Sequence, residues 1–137
     1  RQPNIAWTLS DSRRSPPEFA VAALACTGFR FVSHRECPVD WLPATLAHVG
    51  QAWVSADSVG MLYEALTAGA AVGVIAVPAR RRDRITAIAD ELCARGWVQR
   101  ANDRPGAGAP PVVLNEAARC AEVILGRWPA LARSATA

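Results

Sequence analysis

The chain has 137 residues, of which 51% are hydrophobic and 20% charged; this is enough apolar material to bury a core, and it excludes a wholly disordered protein. No uncharged apolar stretch reaches the roughly 18 residues that a membrane-spanning helix needs. The net charge is only +3, so charge alone does not indicate a nucleic-acid partner, and all 15 basic residues are arginine.

The start of the sequence lacks the pattern of a signal peptide. It begins at Arg1 and enters an apolar run at residues 5–9 without a charged segment and a cleavable apolar stretch. We therefore expect a piece of a longer protein whose N-terminal domain is missing here.

Cysteine and histidine are spaced without the pairs that metal sites use. No C-x-x-C pair occurs, and the two histidines add no ligand spacing, so we expect neither a metal nor a cofactor. Three of the four cysteines lie at apolar positions of helical patterns, which predicts buried thiols in a reducing compartment. The four are Cys26, Cys37, Cys93 and Cys120.

Short apolar runs recur about every twenty residues, with helical patterns between them. They predict strands at residues 5–9, 30–33, 52–55, 72–77 and, more weakly patterned, 97–100. This alternation is typical of an α/β fold with a Rossmann-like parallel sheet and helices on both faces. We expect residues 1–137 to form one domain with five or six strands. Residues 5–9 and 72–77, apolar on both faces, should be central and adjacent.

The first two long helices have readable ends. Residues 15–18 form a capping box with proline in the first turn, and Gly28 closes that helix. Asp57 and Ser58 open the second helix, and Gly69 stops it. Its apolar stripe predicts three core residues: Leu62, Ala65 and Leu66.

Two further helices are predicted toward the end of the chain. The first has Ile85, Ile88, Ala89 and Leu92 at helical spacing before Gly96. Asn115 caps the last, which Gly126 should end and whose buried stripe should hold Ala118, Ala121, Ile124 and Leu125. Residues 102–111, rich in glycine and proline, are predicted to form an exposed loop.

The loop after the first strand predicts an anion site. Arg13 and Arg14 stand among three hydroxyl residues just before a helix N-terminus. Guanidinium forks match phosphate oxygens, and the helix end adds N–H donors and a favourable dipole. The alternative interpretation is a solvated loop with a good helix cap, and the residues alone favour neither.

The loop after the third strand opens another helix where Ser58, Val59 and Gly60 offer N–H groups to an anion. Glu64 lies one turn beyond Gly60, which has no side chain to cover its carboxylate. Residues 58 and 64 are about 9 Å apart along a helix, so a phosphate and a diol of one ligand could meet both. The alternative is that Glu64 is an ordinary surface residue. A third loop, at residues 78–84, carries four arginines that oppose the helix dipole and hint at an anionic partner.

Two motifs resemble a known family. Residues 12–16 read SRRSP and are similar to the SRRTP signature, and residues 57–65 read DSVGMLYEA and are similar to DSxSMxxEA. Both signatures belong to the "elongated mitochondria" family of mitochondrial fission, whose bacterial members are called nucleoside-diphosphate-sugar epimerases or glycosyltransferases. The similarity extends over residues 4–100. It implies a GT-B-like architecture, of which this chain would be the C-terminal, nucleotide-binding half.

The second motif also resembles the DSGGxxEEA segment of the UDP-N-acetylglucosamine 2-epimerases. Matched to it, Ser58 and Gly60 become phosphate-loop residues and Glu64 the ribose ligand. The resemblance thus implies a nucleoside diphosphate sugar bound by Ser12, Arg13, Arg14, Ser58, Val59, Gly60 and Glu64 without a metal. It leaves the catalytic residues unassigned.

The chain departs from the family pattern at three places. Ser15 replaces threonine, Gly60 replaces serine, and the NPY element after the second strand is missing. The resemblance implies first a nucleotide-sugar-binding domain of a GT-B-type glycosyltransferase. Two other functions stay open: a non-catalytic adaptor that recruits a partner, as the family's role in organelle fission implies, and a 2-epimerase-like domain with the same binding loops. The whole protein is expected in the cytoplasm, with peripheral attachment at the inner face of the membrane as the alternative.

Overall fold

The computed structural model describes residues 5–78, 84–102, 112 and 114–128, with the side chains of 84–86 excepted. The chain divides into two compact units, Arg1–Ala44 and Thr45–Ala137. The predicted loop at residues 102–111 lies outside the described residues after Asn102. The arginines at 80–82 in the third predicted loop also lie outside them.

The first unit contains a pair of parallel strands. Strand β1 is Thr8–Ser10, helix α1 is Pro17–Ala25 and strand β2 is Arg30–Val32. The register places Ser10 opposite Val32, so β1 and β2 end at the same edge. A short helix, α2 at Trp41–Leu46, contains the boundary between the units; its pattern was too short to predict it.

The predicted capping box of α1 is wrong. The N-cap is Pro16, with no side-chain cap. The Ser15 hydroxyl instead accepts a hydrogen bond from the Ser12 N–H at 2.9 Å, because the chain turns back on itself before the helix begins. Two prolines at residues 16 and 17 fix the backbone of the helix start without a side-chain acceptor. The helix ends at Ala25, three residues before Gly28.

The second unit contains a three-stranded parallel sheet in the order β3-β4-β5. Its elements are β3 Gln51–Ser55, α3 Val59–Thr67, β4 Ala71–Ile75, α4 Arg84–Ala94, β5 Val98–Arg100 and α5 Glu116–Arg127. The alternation of strands and helices confirms the predicted parallel, Rossmann-like α/β class. The predicted strand segments are found with bounds shifted by up to three residues.

One part of the sheet prediction is wrong. Strand β4 is central, as expected, but its two neighbours are β3 and β5, so it has no edge left for β1. Strand β1 pairs with β2 in a separate two-stranded sheet. The apolar run at residues 5–9 resembles a central strand by composition only: Ile5 and Trp7 are exposed, and the strand begins at Thr8.

The core of the second unit lies between α3 and β4. Leu62, Ala65 and Leu66 of α3 are completely buried, which confirms the predicted stripe. Val72 and Val74 on β4 are buried to about the same degree and share one face of the strand. Each such aliphatic side chain contributes about 1.5–3 kcal/mol on burial, so this layer holds helix and sheet together.

Two of the three glycine stops predicted in the second unit are confirmed, those that end α3 and α4. Gly69 and Gly96 have positive φ angles of 79° and 71°. After α3, Gly69 N–H donates to the Leu66 carbonyl and the next residue reaches back to Ala65; α4 ends in the same pattern. These paired hydrogen bonds define a Schellman motif, which needs a left-handed residue that glycine adopts without strain.

Helix α5 departs from the prediction. Asn115 caps it as expected, accepting from the Ala118 N–H at 2.9 Å, but the helix continues through Gly126 to Arg127. None of its residues is buried, so its apolar stripe does not form part of the core. The predicted buried thiols are wrong for the same kind of reason, because Cys26 and Cys120 lie on exposed segments. All four cysteines are free thiols, and Cys37 and Cys93 are half-buried.

The first prediction concerns Gly73, against which the indole of Trp53 packs closely. The two residues face each other across β3 and β4, and a Cβ at position 73 would stand 2.6 Å from Cδ2 of the indole. The ring therefore lies where any other residue would place its side chain. We expect Gly73→Ala to lower the free energy of unfolding by about 1–3 kcal/mol, measured by chemical denaturation.

Gly126→Ala is the matched control, because a Cβ on that helical glycine meets nothing within 4 Å. It should leave stability unchanged or raise it by up to about 1 kcal/mol. Equal stability of Gly73→Ala and the parent chain would contradict the close approach.

Candidate functional site

The loop after β1 forms a closed turn that presents two arginines. Two hydrogen bonds between Ser12 and Ser15 close the turn. The Ser12 N–H donates to the Ser15 hydroxyl, and the Ser15 N–H donates to the Ser12 carbonyl at 3.0 Å. The Ser12 hydroxyl also accepts from the Arg14 N–H at 3.2 Å. Arg13 and Arg14 occupy the tip of this turn and are exposed.

This geometry explains why serines flank the arginines. Short hydroxyl side chains hydrogen-bond to nearby backbone and so fix a turn without bulk. The turn fixes the backbone of Arg13 and Arg14, two permanently charged residues, just after the carboxyl end of β1. Arg13 has no ion pair among the described residues, so its planar donor set is available for an anion.

Asp11, immediately before this turn, binds a residue that sequence reasoning did not select. One oxygen of its carboxylate, Oδ1, accepts from the backbone N–H of His34 at 2.5 Å and lies 3.0 Å from Nδ1 of the same ring. The side chain of Asp11 is only 9% exposed, and that of His34 is 28% exposed. The carboxylate thus links the end of β1 to the loop after β2.

The hydrogen bonds at Asp11 shift its pKa. Partial burial raises the pKa of this carboxyl, but the backbone and ring hydrogen bonds from His34, together with the charge of that ring, outweigh burial and hold the pKa below its usual value. Asp11 is therefore ionised at neutral pH and acts as an acceptor only.

In the second unit, the loop after β3 leads directly into α3. The Ser58 N–H donates to the Ser55 carbonyl at 2.9 Å, and the Ser55 hydroxyl donates to Ser58 Oγ at 3.1 Å. Ser58 is the N-cap of α3, but its side chain does not cap the helix. The first-turn N–H groups have no acceptor inside the helix, which is the arrangement that binds anions at helix N-termini.

Gly60 and Glu64 lie on the outer face of α3. Both are exposed, and the carboxylate of Glu64 makes no hydrogen bond or ion pair within the described residues. A Cβ on Gly60 would meet nothing within 4 Å, and its φ is not positive. Neither packing nor backbone geometry in this unit therefore requires glycine there, although glycine in a helix costs about 0.5–1 kcal/mol relative to alanine.

The predicted site residues thus form two groups. Ser12, Arg13 and Arg14 share one turn in the first unit. In the second unit, Ser58 is the N-cap of α3, and residues 59, 60 and 64 lie in the first two turns of that helix. That both groups bind one ligand stays a prediction. The signal that could have found the Asp11–His34 pair is positional, since Asp11 directly follows β1 and His34 follows β2 by two residues.

Parallel strands with polar loops at their carboxyl ends place this chain among the Rossmann-like α/β proteins, which bind ligands at that edge of the sheet. More particularly, the chain belongs to the mitochondrial fission ELM1 family, whose model matches residues 1–128. No match was found among curated proteins or among solved structures. Within the described residues, no helix combines the length and the apolar character needed to cross a bilayer.

The second prediction concerns the pH dependence of stability that follows from the lowered pKa of Asp11. Because this pKa is lower in the folded than in the unfolded chain, the unfolded state binds more protons in the interval between the two values, and stability rises with pH there. The stabilisation is complete above the unfolded value of about 3.9 and is lost as the pH falls through the folded value. We expect the stability advantage of the parent chain over Asp11→Asn to shrink on acidification below about pH 4.

Denaturant titrations at a series of pH values measure this difference. Asp57→Asn is the matched control, because the exposed carboxylate of Asp57 accepts no hydrogen bond from the described residues. The difference between Asp57→Asn and the parent chain is the reference against which the pH dependence of the Asp11→Asn difference is measured. An Asp11→Asn difference that stayed constant down to the acid limit would contradict the assigned role of the carboxylate.

Proposed function

We propose that this chain is the nucleotide-sugar-binding domain of a GT-B-type glycosyltransferase. The observation that carries the proposal is the outer face of α3. Gly60 lies there in the first turn, although neither packing nor backbone geometry in this unit requires glycine. Glu64 follows one turn later and is exposed, with no hydrogen bond or ion pair among the described residues. Glycine is unfavourable inside a helix, and its presence at this position is understandable when a ligand approaches the backbone closely.

The chemistry of α3 suits a nucleoside diphosphate. A phosphate at the helix start would accept hydrogen bonds from the N–H groups of Val59 and Gly60 in the first turn and gain from the positive end of the helix dipole. The two hydroxyls of a ribose would donate to the carboxylate of Glu64, about 9 Å further along the helix axis from Ser58. The separation of the two groups matches a ligand with a phosphate and a diol.

Arg13 and Arg14 supply the charge that a transferase of this kind needs. When the bond between a sugar and its diphosphate breaks, negative charge accumulates on the leaving diphosphate. Two adjacent guanidinium groups would stabilise that charge and remove the need for a divalent metal. We propose that a further domain binds the acceptor.

Membership of the mitochondrial fission family supports a second candidate function. The chain would then be a non-catalytic adaptor that keeps the fold and recruits a partner through its surface. Ligand-induced thermal shifts with UDP, GDP, CMP and their sugars separate the two candidates. A ligand at 100 times its Kd stabilises a protein by about 2.7 kcal/mol, whereas an adaptor without a nucleotide site shows no shift.

The third prediction concerns Glu64. With the nucleotide that gives the largest shift, Glu64→Ala should weaken binding by about 1.5–3 kcal/mol, because it removes a charged acceptor of the ribose hydroxyls. This corresponds to an increase in Kd of about 10- to 100-fold by isothermal titration calorimetry. Glu122→Ala, another exposed helical glutamate, is the matched control and should leave Kd unchanged.

The arginines provide a contrast within the same experiment. Arg13→Ala should weaken the nucleoside diphosphate strongly and the free nucleoside hardly at all, since only the diphosphate carries the charge that a guanidinium binds. If all these variants bind like the parent chain, the site assignment is wrong. If the parent chain binds no nucleotide, the adaptor function is the one that stands.

The fourth prediction tests the reason for Gly60. Gly60→Ala should raise the free energy of unfolding by up to about 1 kcal/mol, because alanine is the better helix former and its methyl group meets open space. The same methyl group should weaken nucleotide binding by obstructing the approach of a phosphate to the backbone. A variant that is more stable and binds equally well would show that the glycine has no role in binding.

A further inference from the structure

The pairing of Asp11 with His34 produces a directed imidazole at the carboxyl edge of β1 and β2. The residues are 23 positions apart and meet because the strands are parallel and end in register, Ser10 opposite Val32. A hydrogen bond from the backbone N–H of His34 to Asp11 would be enough to fix the loop after β2. The same carboxylate oxygen also lies 3.0 Å from Nδ1 of the His34 ring, so it fixes the orientation of the imidazole as well.

The donor and acceptor roles in this pair follow from its chemistry. The carboxylate of Asp11 has no proton to give, so Nδ1 must carry the hydrogen and donate it. In the neutral ring the lone pair then lies on Nε2, the nitrogen on the opposite side. No described residue forms a hydrogen bond with Nε2, and the side chain is partly exposed. The result is a base whose basic atom is fixed in direction.

We propose that Nε2 of His34 accepts the proton of the hydroxyl that attacks the sugar, with Asp11 as its positioning residue. This inference rests on the proposed function. In the step, the acceptor oxygen forms a bond to the anomeric carbon and gives its proton to Nε2. The bond from that carbon to the diphosphate breaks, and the diphosphate leaves with the electron pair. The imidazolium then returns the proton to solvent.

The surroundings of His34 support this role. The turn with Arg13 and Arg14 begins one residue after Asp11, so the same sheet edge carries both the carboxylate that orients the base and the cations assigned to the leaving group. Orientation by a carboxylate also favours the imidazolium that forms when the proton arrives. A histidine that acts in this way typically contributes 100- to 10,000-fold to the rate.

Nitrogen-15 spectra of the imidazole rings test the proposal without an identified acceptor. The chain has only two histidines, and His48, which is exposed, serves as the reference in the same spectrum. At about pH 8, where an ordinary histidine is neutral, we expect His34 to be mainly the Nδ1–H form. Asp11→Asn should move it toward the distribution of His48. A predominant Nε2–H form in the parent chain would overturn the inference.

A second arm uses UDP and UDP-glucose as probes. If UDP-glucose binds and its addition shifts Nε2 of His34 but not the ring signals of His48, the assignment is supported. Binding without any change at Nε2 overturns the role of His34 and leaves the proposed function intact. If neither probe nor any other nucleotide sugar binds, the proposed function falls and the proton transfer falls with it, whereas the tautomer still reports whether Asp11 directs the ring.

Discussion

The apolar stripe of α3 sets the orientation of everything assigned to that helix. Leu62 and Leu66 are completely buried against a strand whose valines are equally buried. At 100° per residue, Gly60 and Glu64 fall opposite this stripe. Turning Glu64 inward would expose both leucines, at about 3–6 kcal/mol, and would also bury a carboxylate. The outward glycine and glutamate are therefore a consequence of core packing and need no contact of their own.

Local signals were sufficient to predict much of the fold. The recurrence of apolar runs gave the parallel α/β class, and Gly69 and Gly96 marked helix ends because left-handed backbone is a strictly local requirement. Strand pairing was not predictable in the same way, because the run at residues 5–9 has the composition of a central strand and nothing local selects β2 as its partner. The apolar pattern of α5 predicted a buried face, but none of its residues is buried. An apolar pattern within one helix carries no information on whether another element packs against that helix.

The candidate site divides along the same line. Residues 12–16 and 57–65 are contiguous motifs, so the sequence alone was enough to select them as candidates. Asp11 and His34 form no motif, since 22 residues separate them and only the β1–β2 register brings them together. The capping-box prediction failed for a related reason: Ser15 had two available partners, and the turn with Ser12 took its hydroxyl.

The central place of β4 has a consequence for hydrogen exchange. The backbone of β4 is paired with a strand on each side, through five residue pairs with β3 and three with β5. Strands β1 and β2 share only three residue pairs, in a sheet of two strands. Amide protons of β4 can therefore exchange with solvent only when the three-stranded sheet opens as a whole, but those of β1 and β2 need only a small local opening. The arginine turn and the Asp11–His34 pair thus follow strands that open at a lower free energy than β4, and a bound anion would slow the hydrogen exchange of those strands.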